Sequence, residues 1–152
     1  MSKPAYLIAG NWKMYKTASE AAETAAELAR LSTDARQDVE VLIAPPFTAL
    51  PAVAAALEGS RVALGAQNLH WEKEGAYTGE ISAAMLTAAG CSHVIIGHSE
   101  RRQFFGETDE TVNRKIRAAA EAGLKPIFCI GETAEQREAG KTAQVLTDQL
   151  QN

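Results

Sequence analysis

The chain has 152 residues, 46% hydrophobic and 22% charged, with a formal net charge of −4 and a sequence pI near 5.4. That is enough chain for one soluble domain with a sizeable core, and the acidic balance excludes the basic excess expected of a nucleic-acid binder. No run approaches the ~18 consecutive apolar residues of a membrane span, and Met1 to Gly10 lacks the apolar stretch and small-residue cleavage site of a secretory signal.

Tyr6 to Ala9 reads as a short buried strand, broken by Gly10-Asn11-Trp12-Lys13. Thr17 with Glu20 three residues later forms a capping box, and Ala21, Ala22, Ala25, Ala26, Leu28 and Ala29 give the helix after it an apolar stripe. Val39 to Ala44 is the next strand, stopped by Pro45-Pro46. Thr48 is the expected cap of a second helix, with Pro51 in its first turn and Gly59 beyond its end. Val62 to Gln67 is a third strand, followed by a polar loop over Asn68 to Thr78. A short helix is expected over Ser82 to Ala89, then a fourth strand over His93 to Gly97. Thr108 caps a longer helix whose first turn holds Asp109 and Glu110, where the helix dipole favours acids. Val112, Ile116, Ala119 and Ala120 are its expected buried face, and Gly123 ends it. Pro126 to Ile130 is the fifth strand, followed by Gly131-Glu132-Thr133, and the remaining residues to Asn152 read as helix interrupted at Gly140.

A strand–helix alternation repeated five times means a parallel sheet covered by helices. The whole of residues 1–152 is expected to be a single domain, with no linker and no low-complexity tract. Two architectures fit: an open doubly wound sheet, or part of a (β/α)8 barrel. Such a barrel typically needs ~250 residues, five eighths of which is roughly 156.

Polar residues gather at the strand ends: Asn11 and Lys13, Gln67 and Asn68, His98 and Glu100, and Glu132. In a parallel sheet those ends share one side, where α/β folds assemble chemistry from several strands. Lys13 can offer positive charge to an anionic substrate or a developing oxyanion; on position alone a solvated surface lysine is the stronger reading. His98 follows Gly97 at a strand-to-helix junction, where a helix start favours a neutral imidazole able to donate a hydrogen bond to a carbonyl. A capping or structural histidine is the level alternative. His70, in a loop, and His93, at a strand start, read as structural. Cys91 and Cys129 share no metal-ligand spacing and read as reduced thiols of a cytosolic protein. Gly97-His98-Ser99-Glu100-Arg101 starts like a nucleophile elbow, but Arg101 takes the place of its last glycine and no histidine follows residue 98. No dinucleotide-binding glycine motif, P-loop or H-E-x-x-H metal motif occurs.

Six segments together resemble the triosephosphate isomerase family. They are Ala9-Gly10-Asn11-Trp12-Lys13-Met14, Ala44-Pro45-Pro46, Gly65-Ala66-Gln67-Asn68, Gly75-Ala76-Tyr77-Thr78-Gly79-Glu80, Ile96-Gly97-His98-Ser99-Glu100-Arg101-Arg102 and Cys129-Ile130-Gly131-Glu132. The resemblance implies a partial barrel of about five of the family's eight βα units. It implies interconversion of dihydroxyacetone phosphate and D-glyceraldehyde 3-phosphate in the cytoplasm, within glycolysis and gluconeogenesis, on a small phosphorylated triose and without metal or organic cofactor. The family is a standard illustration of pKa tuning, and the residue roles are the family's. Lys13 resembles its substrate-binding, charge-stabilising lysine, and Asn11 the substrate contact beside it. His98 resembles the neutral electrophile that polarises the carbonyl, and Glu100 its accessory carboxylate. The loop at Tyr77, Thr78 and Gly79 resembles the one that inserts beside a second subunit's site, which implies a homodimer. The family's base is a glutamate after a sixth strand, followed by a lid and phosphate-binding loops; no segment of the 152 residues resembles these. A non-catalytic barrel fragment that self-associates through open sheet edges is the second reading.

Overall fold

Five parallel strands carry the structure, a computed structural model that describes residues 6–34 and 36–151. They are β1 (Tyr6–Asn11), β2 (Val39–Ala44), β3 (Val62–Ala66), β4 (His93–Ile96) and β5 (Lys125–Phe128). Residues 1–5, read above as free of a secretory signal, and Asn152, the expected end of the last helix, lie outside the described residues.

Strand order in the sheet is strand order in the chain, and every neighbouring pair is parallel. This decides between the two architectures. A doubly wound sheet reverses its strand order at a switch point, whereas a barrel lays each strand beside the last. The chain is therefore a partial (β/α)8 barrel. Among the described residues β1 and β5 do not pair with each other, so both are edges. On β1, Tyr6, Leu7 and Ile8 are 52%, 41% and 61% exposed.

Alternation along the strands sorts two cores. Ile43, Leu64, Val94 and Ile96 face the helices, packing with Ala21, Ala25, Val53, Leu86, Val112 and Ala119. Leu42, Ala44 and Ile95 face the other way and pack with Ala63, Ile127 and Cys129 on the inner side of the curved sheet. Gly65 makes room there, since a Cβ at that position would lie 3.1 Å from Leu42 Cδ2. Leu42 is fully buried, worth about 1.5–3 kcal/mol by transfer.

Connecting helices are α1 (Ala18–Leu31), α2 (Leu50–Ala56), α3 (Ala83–Ala88), α4 (Ser99–Phe104), α5 (Asp109–Glu121), α6 (Ala134–Glu138) and α7 (Thr142–Gln151). Ahead of α1 the Thr17 N–H and hydroxyl both donate to the Glu20 carboxylate, 2.8 Å each, as its sequence signature predicts. At α5, Thr108 Oγ1 accepts from Thr111 N–H and Thr111 Oγ1 from Thr108 N–H. The break at Gly140 divides α6 from α7.

Four expectations need correction. Thr48 does not cap α2: Ala49 N–H bonds back to the Pro46 carbonyl, so residues 47–49 form a 3-10 turn and the cap position falls to Ala49, with no side-chain oxygen. Ala120 is exposed, and the residue on the buried stripe is Lys115 instead. Strand ends shift by one or two residues: β3 stops at Ala66, β4 at Ile96 and β5 at Phe128. A separate short helix, α4, stands between β4 and the Thr108-capped helix, so the turn that starts at His98 is its own element.

Candidate active site

The carboxyl ends of β1, β3 and β4 open onto a cleft of about 190 Å³. Asn11, Lys13, Gln67, Asn68, His98 and Glu100 are among the side chains that line it. All the strand-end polar residues singled out in the sequence are therefore brought together except Glu132.

Lys13 has a φ of +51°, a left-handed backbone costing a non-glycine residue about 1–3 kcal/mol. Two neighbours hold it there. Lys13 N–H donates to Asn11 Oδ1 at 2.9 Å, and the Lys13 carbonyl accepts from Gln67 Nε2 at 2.8 Å. The same amide nitrogen donates to the Ala44 carbonyl at 2.8 Å, which ties the β1 loop to the ends of β2 and β3. The kinked backbone accompanies a lysine whose ammonium reaches Glu100 Oε1 at 2.7 Å. Both side chains are about half exposed. Their hydrogen bond, with the charge attraction behind it, raises the Lys13 pKa and lowers that of Glu100. The pair is thus ionised across the neutral range.

His98 sits where Gly97, at φ +73°, turns β4 into α4. A Cβ on Gly97 would meet Arg102 Nη2 at 3.1 Å and both the Cys129 carbonyl and Val112 Cγ2 at 3.2 Å, so the turn requires glycine twice over. The imidazole caps α4: Nδ1 accepts from Glu100 N–H at 3.2 Å. With Nδ1 accepting from the backbone, Nε2 is the ring nitrogen that faces outward as a donor. Capping and electrophile are therefore compatible, because the cap occupies Nδ1 and leaves Nε2–H as a donor. Glu100 contributes at both residues, through its backbone to His98 and its carboxylate to Lys13.

Behind the cleft lies a buried charged cluster that apolar periodicity does not announce. Glu107 Oε1 accepts from Arg101 Nε at 2.5 Å and from Lys115 Nζ, which also donates to Asn68 Oδ1 at 2.8 Å. The Glu107 and Lys115 side chains are each only 5% exposed. Burial pushes the Glu107 carboxyl up, but the hydrogen bonds and charges of Lys115 and Arg101 outweigh it and hold it below the usual carboxylate range. The cluster links α5 to the cleft wall at Asn68 and Arg101. Its one sequence signal is Lys115 standing between Val112 and Ala119 on the stripe that faces the sheet.

The remaining candidates do not line this cleft. Glu132 borders a second cavity of about 240 Å³ that His98 also lines, and it accepts from Arg137 Nε at 2.8 Å and Thr142 Oγ1 at 3.3 Å. A backbone hydrogen bond and the Arg137 contact lower its pKa, which makes it a weak proton acceptor. His70 stacks on Trp71 and Tyr77, with ring centroids 4.2 and 4.5 Å away. Tyr77, Thr78 and Gly79 do not line the cleft; Tyr77 borders a depression beside His70 and Glu80 instead. His93 is buried, with Ser92 Oγ 2.8 Å from Nδ1 and Glu40 Oε1 3.5 Å from Nε2. Burial pushes the Cys91 thiol up to about 11 and also raises that of Cys129, so neither is a reactive thiolate. Among the described residues no group of three or more His, Cys, Asp or Glu is arranged to hold a metal, and no helix is long and apolar enough to cross a membrane.

Comparison with known proteins gives one consistent result. The family model described as triosephosphate isomerase matches residues 6–152. A triosephosphate isomerase of Geobacter metallireducens is 60% identical over 146 residues, covering 96% of this chain and 58% of the relative. One from Synechocystis is 57% identical over 144 residues, covering 95% of this chain and 60% of the relative. The crystal structure of triosephosphate isomerase from Bartonella henselae superposes with a TM-score of 0.89 at 46% identity, over 96% of this chain and 60% of that one. The chain thus spans somewhat under two thirds of the length of these relatives.

Proposed function

This chain belongs to the triosephosphate isomerase family, and from that premise we propose that its protein interconverts dihydroxyacetone phosphate and D-glyceraldehyde 3-phosphate. Lys13 and His98 are the proposed catalytic side chains. The observation that supports this best is their common cleft: an ammonium and an imidazole whose Nδ1 is already occupied by a backbone N–H.

The chemistry follows from the charges. A triose phosphate is a dianion with a carbonyl, and Lys13 supplies the positive charge such a substrate needs. Moving a proton between adjacent carbons passes through an enediolate, whose developing oxyanion is stabilised by preorganised donors. His98 Nε2–H donates to that oxygen, and Lys13 opposes the charge from the side. Asn11 holds the Lys13 backbone and borders the substrate space. Glu100 keeps Lys13 ionised and aims it. The carbon-bound proton leaves to a carboxylate base, which the family resemblance puts after a sixth strand; Glu132, engaged by Arg137, is not assigned that role.

The same reading makes residues 1–152 one partial-barrel domain of a cytoplasmic homodimer. Exposed apolar side chains support a subunit contact: Met14 and Phe105 at the cleft rim, with Tyr15 and Phe104 next to them in the chain. A second reading concerns the 152-residue polypeptide on its own. Its open β1 and β5 edges favour self-association without catalysis.

The test is turnover of glyceraldehyde 3-phosphate by the protein as its gene encodes it, with Lys13→Met alongside. An enzyme-like rate lost in the variant is expected. No turnover by the wild type, or equal rates, sinks the proposal.

A further inference from the structure

We propose that Arg102 is a positioning residue for His98, its side chain acting through the Gly97–His98 peptide that leads into the imidazole-bearing residue. This rests on the reading of His98 as the electrophile.

The Arg102 side-chain Nε donates to the Gly97 carbonyl at 2.9 Å, on the peptide that precedes His98. The His98 carbonyl, on the peptide that follows, accepts helical backbone bonds from Arg101 N–H at 2.8 Å and Arg102 N–H at 3.1 Å, which need neither side chain. The guanidinium in turn is fixed from outside α4: Nη1 donates to Asp109 Oδ1 at 2.5 Å, in the first turn of α5. Nη2 is buried with no hydrogen-bond partner and would lie 3.1 Å from a Cβ on Gly97, so the group sits close against the turn. The Arg102 side chain is 17% exposed.

A salt bridge that only docks α4 onto α5 does not require the second nitrogen to reach back to the peptide before His98. The fork geometry of arginine does both at once, which a lysine ammonium cannot reproduce from one point. Gly97 is the residue whose left-handed φ sets the direction of the chain into His98, and its carbonyl is the free end of that peptide. Holding the carbonyl fixes the rotation of the Gly97–His98 peptide and hence the direction of the His98 Cα–Cβ bond. Glu100 N–H then fixes the ring itself through Nδ1. The imidazole is thereby located by three contacts in sequence, of which the Arg102 contact is the one that reaches outside the turn, to α5.

The test uses the protein as encoded, comparing wild type with Arg102→Lys, Arg102→Gln and Asp109→Asn. Asp109→Asn leaves every contact at Gly97 in place and removes only the charge at the far end, weakening the hold on Nη1, so it is the milder variant for folding. Two quantities are read on folded samples: the split of kcat from KM, and the 15N resonances of the His98 ring. Arg102→Lys is expected to lower kcat roughly 10–100-fold, the scale of a misplacement near 1 Å, with KM little changed. Asp109→Asn is expected to lower kcat less, in the same direction. The Nδ1 and Nε2 resonances shift in each. Variants that lose only stability, with wild-type kcat and unshifted His98 resonances, overturn the proposal. If the wild type does not isomerise triose phosphates, the functional reading fails separately, and the His98 resonances alone decide whether Arg102 positions the ring.

Discussion

Gly97→Ala isolates the turn on which the His98 side chain depends. At φ +73° an alanine carries left-handed strain of about 1–2 kcal/mol. The added methyl also meets three atoms at 3.1–3.2 Å, Arg102 Nη2, the Cys129 carbonyl and Val112 Cγ2. The Cys129 carbonyl is backbone, Val112 is buried and the Arg102 guanidinium is held by Gly97 and Asp109, so none of the three yields easily; overpacking of this kind costs about 1–3 kcal/mol. The sum is about 2–5 kcal/mol. Two further glycines serve as controls. Gly106 has a φ of +67° but nothing within 4 Å of a Cβ, so Gly106→Ala carries the strain alone, about 1–2 kcal/mol. Gly131 has open space and no left-handed φ, and Gly131→Ala is expected within about 1 kcal/mol of wild type. Urea unfolding of the three variants gives the stabilities, and steady-state kinetics the activity. Gly97→Ala is expected to be the least stable and to lose at least ~10-fold in kcat, because its relief must move the residue that bears His98. If Gly97→Ala unfolds no more easily than Gly106→Ala and retains wild-type kcat, the reasoning about this turn is wrong.

Other outcomes follow from the buried charges and the edges. Glu107→Gln leaves Lys115 buried without its anion, and unfolding at neutral pH is expected to show a loss of about 3–5 kcal/mol. The Glu107 pKa is lowered in the fold, so its contribution is complete above the unfolded value near ~4.3 and is lost as pH falls through the lower folded value. The acid limb of the stability profile should accordingly flatten in Glu107→Gln, and an unchanged limb speaks against the cluster. His93 is lowered by burial, with Glu40 raising and Lys125 lowering it further. Its contribution is complete above ~6.5 and falls as pH drops through the folded value; His93→Phe should remove that decline in a urea-midpoint series from neutral to mildly acidic pH. The 152-residue polypeptide expressed by itself is expected to be inactive and to scatter light as an oligomer, and a monodisperse active monomer would contradict this.

Much of the scaffold is legible in the sequence because its signals are local. The Thr17–Glu20 box, the Pro45-Pro46 stop and the glycine breaks depend on neighbours a few residues away. Sheet order does not: sequential neighbours and a reversed order share the same alternation, and only the pairing separates a barrel from a doubly wound sheet. The site residues at the strand ends follow from the parallel sheet once strands are assigned. Their supports are harder to see. Gln67 matters through an amide that reaches two carbonyls, one at the end of β2 and one in the loop after β1, and Glu107 through partners at 101 and 115, so neither has a periodicity. Thr48 shows the opposite failure, a sound capping residue displaced because a carbonyl three residues before Ala49 formed a tighter turn.

Proton exchange at carbon tests the central claim most directly, since it reports the step that Lys13 and His98 are proposed to assist. The encoded protein is incubated with dihydroxyacetone phosphate in deuterated water, and the triose phosphates are followed by proton NMR. Wild type is expected to introduce carbon-bound deuterium at an enzyme-like rate, with His98→Gln slower by ~100-fold or more, the scale of positioned acid–base catalysis. Wild type that leaves the carbon-bound protons unexchanged, or His98→Gln that exchanges them equally fast, would contradict it.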